Sequence, residues 1–293
     1  MRPLATILLL CLLSPLTLLV AEEAENPKRL LPIPDKLVVL TFDDANKSDR
    51  TLVADELKKH GFGATFYVTE GLGFLKSKTN YTTWKEIREL HDMGFEIGNH
   101  TKAHRNVTQL TKETFSESLD HIDRRCAENG IPRPVTFCFP GFSHNQAAVE
   151  VLLAKKVFTF ARRGVRPEFK DGGRGGLGPA YDPHLDHPLL VPTTWYAGPE
   201  SGTEDMKKAV AQAKDGKIAV LCYHGVPSIE HPWVTTEPEA FKEQLAYLKS
   251  SGCTVIAMRD LQKYVDPTVR PEKPYENIKR RTSAGEGSVN REP

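Results

Sequence analysis

The sequence predicts an α/β protein whose single domain is a (β/α) barrel of seven or eight parallel strands. Short apolar runs alternate along the chain with segments whose apolar residues recur every three to four positions, the pattern of strands alternating with amphipathic helices. The runs are almost continuously apolar, as expected for parallel strands buried on both faces. Polar residues follow the ends of four different runs, which favours a closed barrel over an open sheet.

The predicted strands are the apolar runs at residues 37–42, 64–68, 95–98, 135–139, 157–161, 189–191, 218–223 and 254–258. Amphipathic segments between them are predicted to be helices. The first of these helices spans residues 48–60 and ends at Gly61. The next begins with a capping box formed by Thr83 and Glu86, and a third follows Thr111.

The domain is predicted to cover residues 35–265 of the 293-residue chain, which is long enough for one barrel. Residues 162–188 are rich in glycine without the spacing of a phosphate loop, and we expect a long loop inserted in the domain. Residues 22–34 form a charged lead-in. Residues 266–293 are polar and aperiodic, which predicts a disordered charged tail.

Residues 1–21 have the composition of a secretory signal peptide. Arg2 supplies a short basic region, residues 4–20 are apolar, and Ala21 is a small residue at a plausible cleavage point. We therefore expect the protein to be secreted or to lie in the periplasm or cell envelope, with no stable membrane insertion after cleavage. An uncleaved membrane anchor is the alternative interpretation.

Composition excludes some partners and bears on the cysteines. The net charge is +1, so no overall field favours nucleic acid, and none is expected as a partner.

Export would place the four cysteines that follow the predicted signal peptide in an oxidising compartment, where disulfides are permitted. Most of them lie in or beside apolar runs, where a buried thiol behaves as a small hydrophobic group. We therefore expect free thiols at Cys126, Cys138, Cys222 and Cys253.

The ends of two predicted strands carry groups that suit a metal. Asp43 and Asp44 close the first apolar run, and His100 and His104 follow the third. Two carboxylates at the end of a buried strand are costly to desolvate unless something compensates them, and a helix N-cap explains only one of them. The four-residue spacing of His100 and His104 alone is weak evidence for a metal site. Together the groups predict a divalent metal held by one Asp and two His, with open positions for water and substrate and the second Asp free as a base.

Four segments resemble, in this order, the successive motifs of the polysaccharide deacetylases, the carbohydrate esterase family 4 enzymes with a NodB homology domain. They are Thr-Phe-Asp-Asp at 41–44, His-Thr-Lys-Ala-His at 100–104, Phe-Cys-Phe-Pro-Gly at 137–141 and Leu-Cys-Tyr-His at 221–224. The resemblance covers roughly residues 36–265. The first two motifs are quite specific in this order, and the last two are looser.

The resemblance implies a deformed (β/α) barrel that binds a divalent metal, usually zinc, and removes acetyl groups from a carbohydrate by N- or O-deacetylation. An acetylated glycan or oligosaccharide is the implied substrate. The metal ligands of the family fall on Asp44, His100 and His104. Its catalytic base falls on Asp43, its general acid on His224, and the backbone N–H that binds the oxyanion on Gly141. Aromatic residues near the predicted rim are candidates to stack on sugar rings: Phe142, Trp195, Tyr196 and Trp233.

Two positions depart from the family pattern. Many relatives carry an Arg in the third motif and an Asp shortly before a Trp in the fourth, each orienting a catalytic group. Here Cys138 occupies the Arg position, and no Asp directly precedes Trp195. The candidates to take over are Asp186 and the arginines at 162 and 163. We hypothesise that Asp186 orients His224.

Three other functions stay open at this stage. A C–N hydrolase of a small cyclic or linear amide is usually cytosolic, so the predicted signal peptide counts against it. A non-heme iron oxygenase also uses two His and one carboxylate, but its ligands usually begin with a tight His-x-Asp pair, which this site lacks. A catalytically inactive carbohydrate-binding protein would not need Asp43 and His224.

Overall fold

The structure is a computed structural model that describes residues 30–169 and 176–289, with side chains described up to residue 283. The predicted signal peptide and the centre of the predicted glycine-rich loop lie outside the described residues. Within these ranges the chain forms eight strands and seven α-helices. None of the helices described combines the length and the apolarity needed to cross a lipid bilayer.

Strands and helices alternate through most of the chain, as the sequence predicts. The strands are β1 (Leu37–Asp43), β2 (Thr65–Val68), β3 (Glu96–Asn99), β4 (Thr136–Cys138), β5 (Phe160–Arg162), β6 (Trp195–Tyr196), β7 (Ala219–Tyr223) and β8 (Thr254–Ile256). The helices are α1 (Ala54–His60), α2 (Trp84–Asp92), α3 (Lys112–Glu128), α4 (Gln146–Lys155), α5 (Thr203–Val210), α6 (Pro238–Ser250) and α7 (Glu276–Val289).

The strands are parallel and form the predicted deformed barrel. They pair in the order β5-β4-β3-β2-β1-β7-β6, and β8 pairs with the first residues of β1. The segment before β6 connects the two ends of this order. Val191 bridges to Arg162 of β5 in parallel register, and the Thr194 N–H donates to the carbonyl of Val220 in β7. The chain therefore continues around the barrel between β5 and β7.

The two faces of β1 pack into different apolar clusters. Its even-numbered residues join the largest cluster, beneath α1, α2 and α6. Leu37 and Val39 instead pack with residues of β5, β7 and β8, such as Val220 and Ile256. Because successive side chains of a strand point to opposite faces, Asp43 lies on the same inner face as Leu37 and Val39, at the carboxyl end of the strand.

The predicted strand at residues 189–191 is wrong, while the other seven predicted strands overlap observed ones. Pro188–Leu190 forms a 3-10 turn instead, and β6 begins at Trp195. The Leu189 N–H donates to His187 Nδ1 over 3.0 Å, and Pro188 at the first position favours a turn. The run is apolar because Leu189 packs in the cluster under α3 and α4. A short apolar run cannot by itself distinguish a strand from another buried segment.

The predicted disordered tail is also wrong for Glu276–Val289, which form α7. Ile278 is 3% exposed and joins the cluster under α3 and α4. Asn277 Nδ2 donates to Asp186 Oδ1 over 2.7 Å, and Arg281 Nη2 donates to the same oxygen over 2.5 Å. One apolar side chain and polar contacts to Asp186 and Glu168 attach this helix, too few to raise a periodic pattern in the sequence.

The four cysteines in residues 30–169 and 176–289 are free thiols, as predicted. Cys126, Cys138 and Cys222 are buried, and Cys253 is half-buried. Burial raises the pKa of the Cys126 thiol to about 12, so this group stays protonated and unreactive at neutral pH.

Candidate metal centre and active site

The structure brings Asp44, His100 and His104 together at the carboxyl end of the barrel. The Nε2 atoms of His100 and His104 lie 3.4 and 3.2 Å from Asp44 Oδ1. One donor atom from each of the three residues lies within 4.8 Å of the others. The side chains of Asp44 and His100 are nearly inaccessible to solvent, and that of His104 is 19% exposed. Three donors therefore converge on one largely enclosed point.

These residues fit a divalent cation. In the described part of the chain, Asp44 Oδ1 is buried and makes no hydrogen bond, although two imidazole nitrogens lie within 3.4 Å. A buried carboxylate oxygen without a partner is unfavourable unless a cation compensates it. Burial raises the pKa of Asp44, but the neighbouring imidazoles outweigh burial and hold that pKa well below its usual value. An ionised carboxylate and two imidazoles form a donor set that zinc prefers.

The orientation of His100 supports this interpretation. This residue directly follows β3, where its N–H donates to the carbonyl of Val68 over 3.0 Å. Its ring Nδ1 lies 2.8 Å from the carbonyl oxygen of Cys138. Because a carbonyl can only accept, Nδ1 carries a proton, and Nε2 is the ring nitrogen that faces Asp44. A hydrogen bond of this kind commonly fixes the tautomer and the direction of a metal-binding imidazole.

Two of the three candidate ligands stand on strained backbone. Asp44 has φ of 76° and His104 has φ of 52°, both in the left-handed region, and Thr101 between the histidines has φ of 66°. Such conformations cost about 1–3 kcal/mol each in non-glycine residues and cluster at functional sites. The turn is held by hydrogen bonds from the Thr101 N–H to Asn99 Oδ1 and from the His104 N–H to Thr101 Oγ1.

Asp43 lies inside the barrel among three buried side chains from other strands. Arg162 Nη2 at the end of β5 donates to Asp43 Oδ1 over 2.6 Å. The thiols of Cys138 and Cys222 approach Asp43 Oδ2 to 3.6 and 3.7 Å. Burial raises the pKa of Asp43, but the charges of Arg162, His100 and His224 together hold it below its usual value. Asp43 is therefore an oriented carboxylate that stays ionised despite its burial.

An arginine reaches Asp43 although the third motif lacks one. The sequence leaves both arginines after the fifth predicted strand as candidates. Only Arg162 contacts Asp43, because successive residues at the end of a strand point to opposite sides. Arg163 points away and pairs with Glu168 over 2.6 Å. The small side chain of Cys138, 2.8 Å from Arg162 Nη2, leaves room for the guanidinium. The contacts of Cys138 and Cys222 with Asp43 had no signal in the sequence beyond their positions at strand ends.

His224 and Gly141 reach the same site from two further strands. The Nε2 atom of His224, which follows β7, lies 3.9 Å from an oxygen of Asp43 and 3.9 Å from one of Asp44. Burial lowers the pKa of His224, although the two carboxylates act against it. Gly141 follows β4 with φ of 56°. Its N–H donates to no group among the described residues and is available to a ligand.

A cavity of about 850 Å³ opens above these groups and contains all six predicted site residues in its wall. Of the aromatic residues predicted to stack on sugars, Phe142, Tyr196 and Trp233 line this cavity, and Trp233 is 66% exposed. The prediction for Trp195 is wrong, because its side chain is fully buried in the largest apolar cluster. Adjacent residues of β6 face opposite sides, so only one of this pair can reach the cavity.

The hypothesis that Asp186 orients His224 is wrong. Asp186 accepts hydrogen bonds from Asn277 and Arg281 of α7, and its Oδ2 accepts from the Asp182 N–H over 3.0 Å. It does not line the cavity. His224 Nδ1 is buried and has no hydrogen-bond partner in the part of the chain that the structure describes. Asp186, which the sequence assigns to the active site, is thus bound by α7, a helix that the sequence does not predict.

Comparisons with known proteins agree with this architecture. Residues 31–157 match the polysaccharide deacetylase family model. The peptidoglycan-N-acetylmuramic acid deacetylase PdaA of Bacillus subtilis (strain 168) is 33% identical over 90 residues, 30% of this chain and 32% of the relative. A bifunctional xylanase/deacetylase of Pseudobutyrivibrio xylanivorans is 28% identical over 85 residues, 29% of this chain and 13% of the relative. The chain thus matches about a third or less of the length of these curated relatives.

Solved structures share the fold. The Xyl-CE4 domain of a multidomain xylanase from the hindgut metagenome of Trinervitermes trinervoides has a TM-score of 0.53 at 18% identity, over 81% of this chain and 95% of that one. T48 deacetylase with substrate has a TM-score of 0.51 at 20% identity, over 79% and 93%. BA3943 of Bacillus anthracis, a CE4 family pseudoenzyme, has a TM-score of 0.52 at 16% identity, over 78% and 66%.

The fold and the strand-end cluster of carboxylates and imidazoles define a protein of the deformed (β/α) barrel class with a candidate metal centre at its carboxyl rim. Within that class, the predicted resemblance is confirmed by the family match and by the shared fold of the solved structures. The likeness to the polysaccharide deacetylase family rests on residues 31–157, the segment that carries the first three motifs.

Proposed function

We propose that this protein is an exported, metal-dependent hydrolase that removes acetyl groups from an acetylated glycan, by cleavage of an amide or an ester. One observation carries the proposal: a triad of possible metal ligands, a buried ionised carboxylate and an imidazole converge from three strand ends on one open cavity. The predicted signal peptide at residues 1–21 supports export.

In this proposal Asp44, His100 and His104 hold the divalent metal, most favourably zinc. When bound, such a cation polarises the acyl carbonyl and acidifies a water molecule. The support from this chain is the unsatisfied Asp44 Oδ1 and the hydrogen bond of His100 Nδ1 that turns Nε2 of the same ring towards it. The cavity leaves room at this point for water and substrate.

Asp43 acts as the general base that takes a proton from the attacking water. A base must be ionised before it reacts, and the charge of Arg162 keeps the Asp43 carboxylate ionised in a buried place. Arg162 and the two thiols also limit rotation of the carboxylate, since they approach both of its oxygens. Asp43 therefore presents a fixed acceptor to the cavity.

His224 acts as the general acid that protonates the leaving amine or alkoxide. Its Nε2 lies 3.9 Å from Asp43 and Asp44, whose charges favour the protonated ring that this role requires, while burial lowers the pKa of His224. In this proposal the N–H of Gly141 donates to the oxyanion, because Gly141 lines the cavity and its N–H makes no hydrogen bond in the described part of the chain. A single donor of this kind stabilises the transition state by about 3 kcal/mol.

Acetate release from a panel of N- and O-acetylated glycans tests the proposal. We expect release from at least one glycan, loss of release after chelation, and recovery when zinc is added back. The His104→Ala variant, which lacks one of three ligands, should lose more zinc affinity than the about 10- to 100-fold typical when a ligand only loses its hydrogen-bond partner. His91→Ala on α2, away from the cavity, is the matched control and should keep metal and activity. Unchanged metal content in His104→Ala would refute the triad.

The Asp186→Asn variant tests whether Asp186 has a structural role or a catalytic one. The substitution removes the charge that receives Arg281 and Asn277, in a side chain only 2% exposed. We expect the free energy of unfolding to fall by about 1–3 kcal/mol, measured by urea titration, because buried donors lose a charged acceptor. The kcat for acetate release should stay unchanged. A lower kcat with unchanged stability would restore a catalytic role for Asp186.

A further inference from the structure

Arg166 is a cation in the cavity wall that has no counter-charge. It is exposed, and it is the one Arg or Lys among the described residues that line the cavity. Within residues 30–169 and 176–289, its guanidinium makes neither an ion pair within 4.0 Å nor a hydrogen bond. Its charge is therefore free to meet a ligand.

The acids of the same wall cannot supply that counter-charge. The described lining contains two carboxylates, Asp43 and Asp44. Asp43 is paired with Arg162 over a distance of 2.5 Å, and Asp44 is committed to the two imidazoles of the candidate metal centre. His144 lies in the same wall, and burial lowers its pKa to about 3, so this ring is neutral at physiological pH. Arg166 therefore has no carboxylate partner among the described residues of this wall.

The loop that carries Arg166 is held in place from below. Arg163, whose side chain is fully buried, donates through Nη1 to the carbonyl oxygens of Gly164 and Arg166 over 3.2 and 2.9 Å. The same guanidinium pairs with Glu168, which also receives Arg281 of α7 over 3.2 Å. A buried ion pair and a helix thus fix the backbone of Arg166, so that little backbone entropy is lost when a ligand binds its side chain.

Tyr196 adds a second polar group beside this charge. It lines the cavity next to Phe142, with ring centroids 6.2 Å apart. Arg166 and Tyr196 line the same cavity. Burial raises the pKa of the Tyr196 phenol, and the positive charge of Arg166 acts in the opposite direction. A guanidinium fork and a phenol O–H are both donors, and a carboxylate is the acceptor that such donors recognise.

We propose that Arg166 is a specificity residue that binds a carboxylate on the substrate, so that the enzyme prefers acetylated glycans containing an acidic sugar. The inference rests on the proposed deacetylase function and narrows its substrate class. The carboxylate belongs to a uronic acid or to a lactyl ether on the sugar ring, since both present the same acceptor. Arg166 acts on binding rather than on the acyl bond, because the wall also contains the separate catalytic groups.

The test uses two matched substrate pairs, one built on a uronic acid and one on a lactyl ether. In each pair the acetylated oligosaccharide carries either the free carboxylate or its neutral amide. We expect the wild type to prefer the acid of at least one pair. In Arg166→Ala, KM for that acid should rise about tenfold, as expected for loss of a charged hydrogen bond, with kcat and the KM of the amide unchanged. Arg166→Lys should recover part of the loss.

Arg124→Ala is the matched control, because Arg124 is an exposed arginine on α3 outside the cavity wall. It should leave both members of each pair unaffected. Calorimetric binding of the same acid and amide gives a readout that needs no turnover. Acetate release without any preference for the acid would overturn the role of Arg166 and leave the deacetylase function standing. Preferential binding of the acid without acetate release would refute only the deacetylase function.

Discussion

Replacing Asp43 with asparagine is expected to lower kcat for acetate release by about 10²- to 10⁴-fold, the usual contribution of a general base. Asparagine has nearly the same shape but cannot take a proton from water. The three candidate metal ligands are unchanged, so the variant should bind as much zinc as the wild type. Steady-state kinetics and metal analysis of the same preparation check the two statements together.

Asp49→Asn provides a control of the same chemistry close by. Asp49 is 1% exposed, and neither of its carboxylate oxygens has a hydrogen-bond partner in the described part of the chain. Burial, together with the charges of Asp44 and Asp43, raises the pKa of Asp49 well above its usual value. Asp49 does not line the cavity, so Asp49→Asn should leave kcat unchanged. Equal losses of kcat in Asp43→Asn and Asp49→Asn would show that Asp43 is not the general base.

Arg162→Met is expected to lower the free energy of unfolding by about 3–5 kcal/mol, because it leaves the carboxylate of Asp43 buried without its cation. Both side chains are almost completely buried, with 0% and 2% exposed. This loss is a large part of the roughly 5–15 kcal/mol that stabilises a typical domain. Chemical unfolding followed by tryptophan fluorescence measures the change. Acetate release should fall as well, since the carboxylate loses its orientation.

The double variant Asp43→Asn with Arg162→Met separates the two effects. Removing both charges abolishes the uncompensated carboxylate, so most of the lost stability should return, while activity stays low because the base is absent. A double variant that is as unstable as Arg162→Met alone would show that the arginine stabilises the fold through packing. In that case the loss of the ion pair with Asp43 would not be the cause of the lower stability of Arg162→Met.

The pairing of Arg162 with Asp43 shows that a contact expected from one motif can come from a residue elsewhere in the chain. The third motif places Cys138 where many relatives have an arginine, and a strict comparison would report a missing group. The guanidinium arrives instead from the end of the neighbouring strand β5, 24 residues further along the chain. Barrels permit such a replacement because the carboxyl ends of all their strands surround one space.

Local patterns by themselves determined the strand-helix alternation, seven of the eight strands and the positions of the candidate metal ligands, because strand periodicity and strand-end acids and histidines are properties of neighbouring residues. Only the tertiary structure decided which polar residues contact each other. In it, Asp186 contacts α7 rather than His224, Trp195 is buried, and Glu276–Val289 form a helix. These outcomes depend on contacts between residues far apart in the chain, such as Asp186 and Arg281, and short-range periodicity contains no information about them.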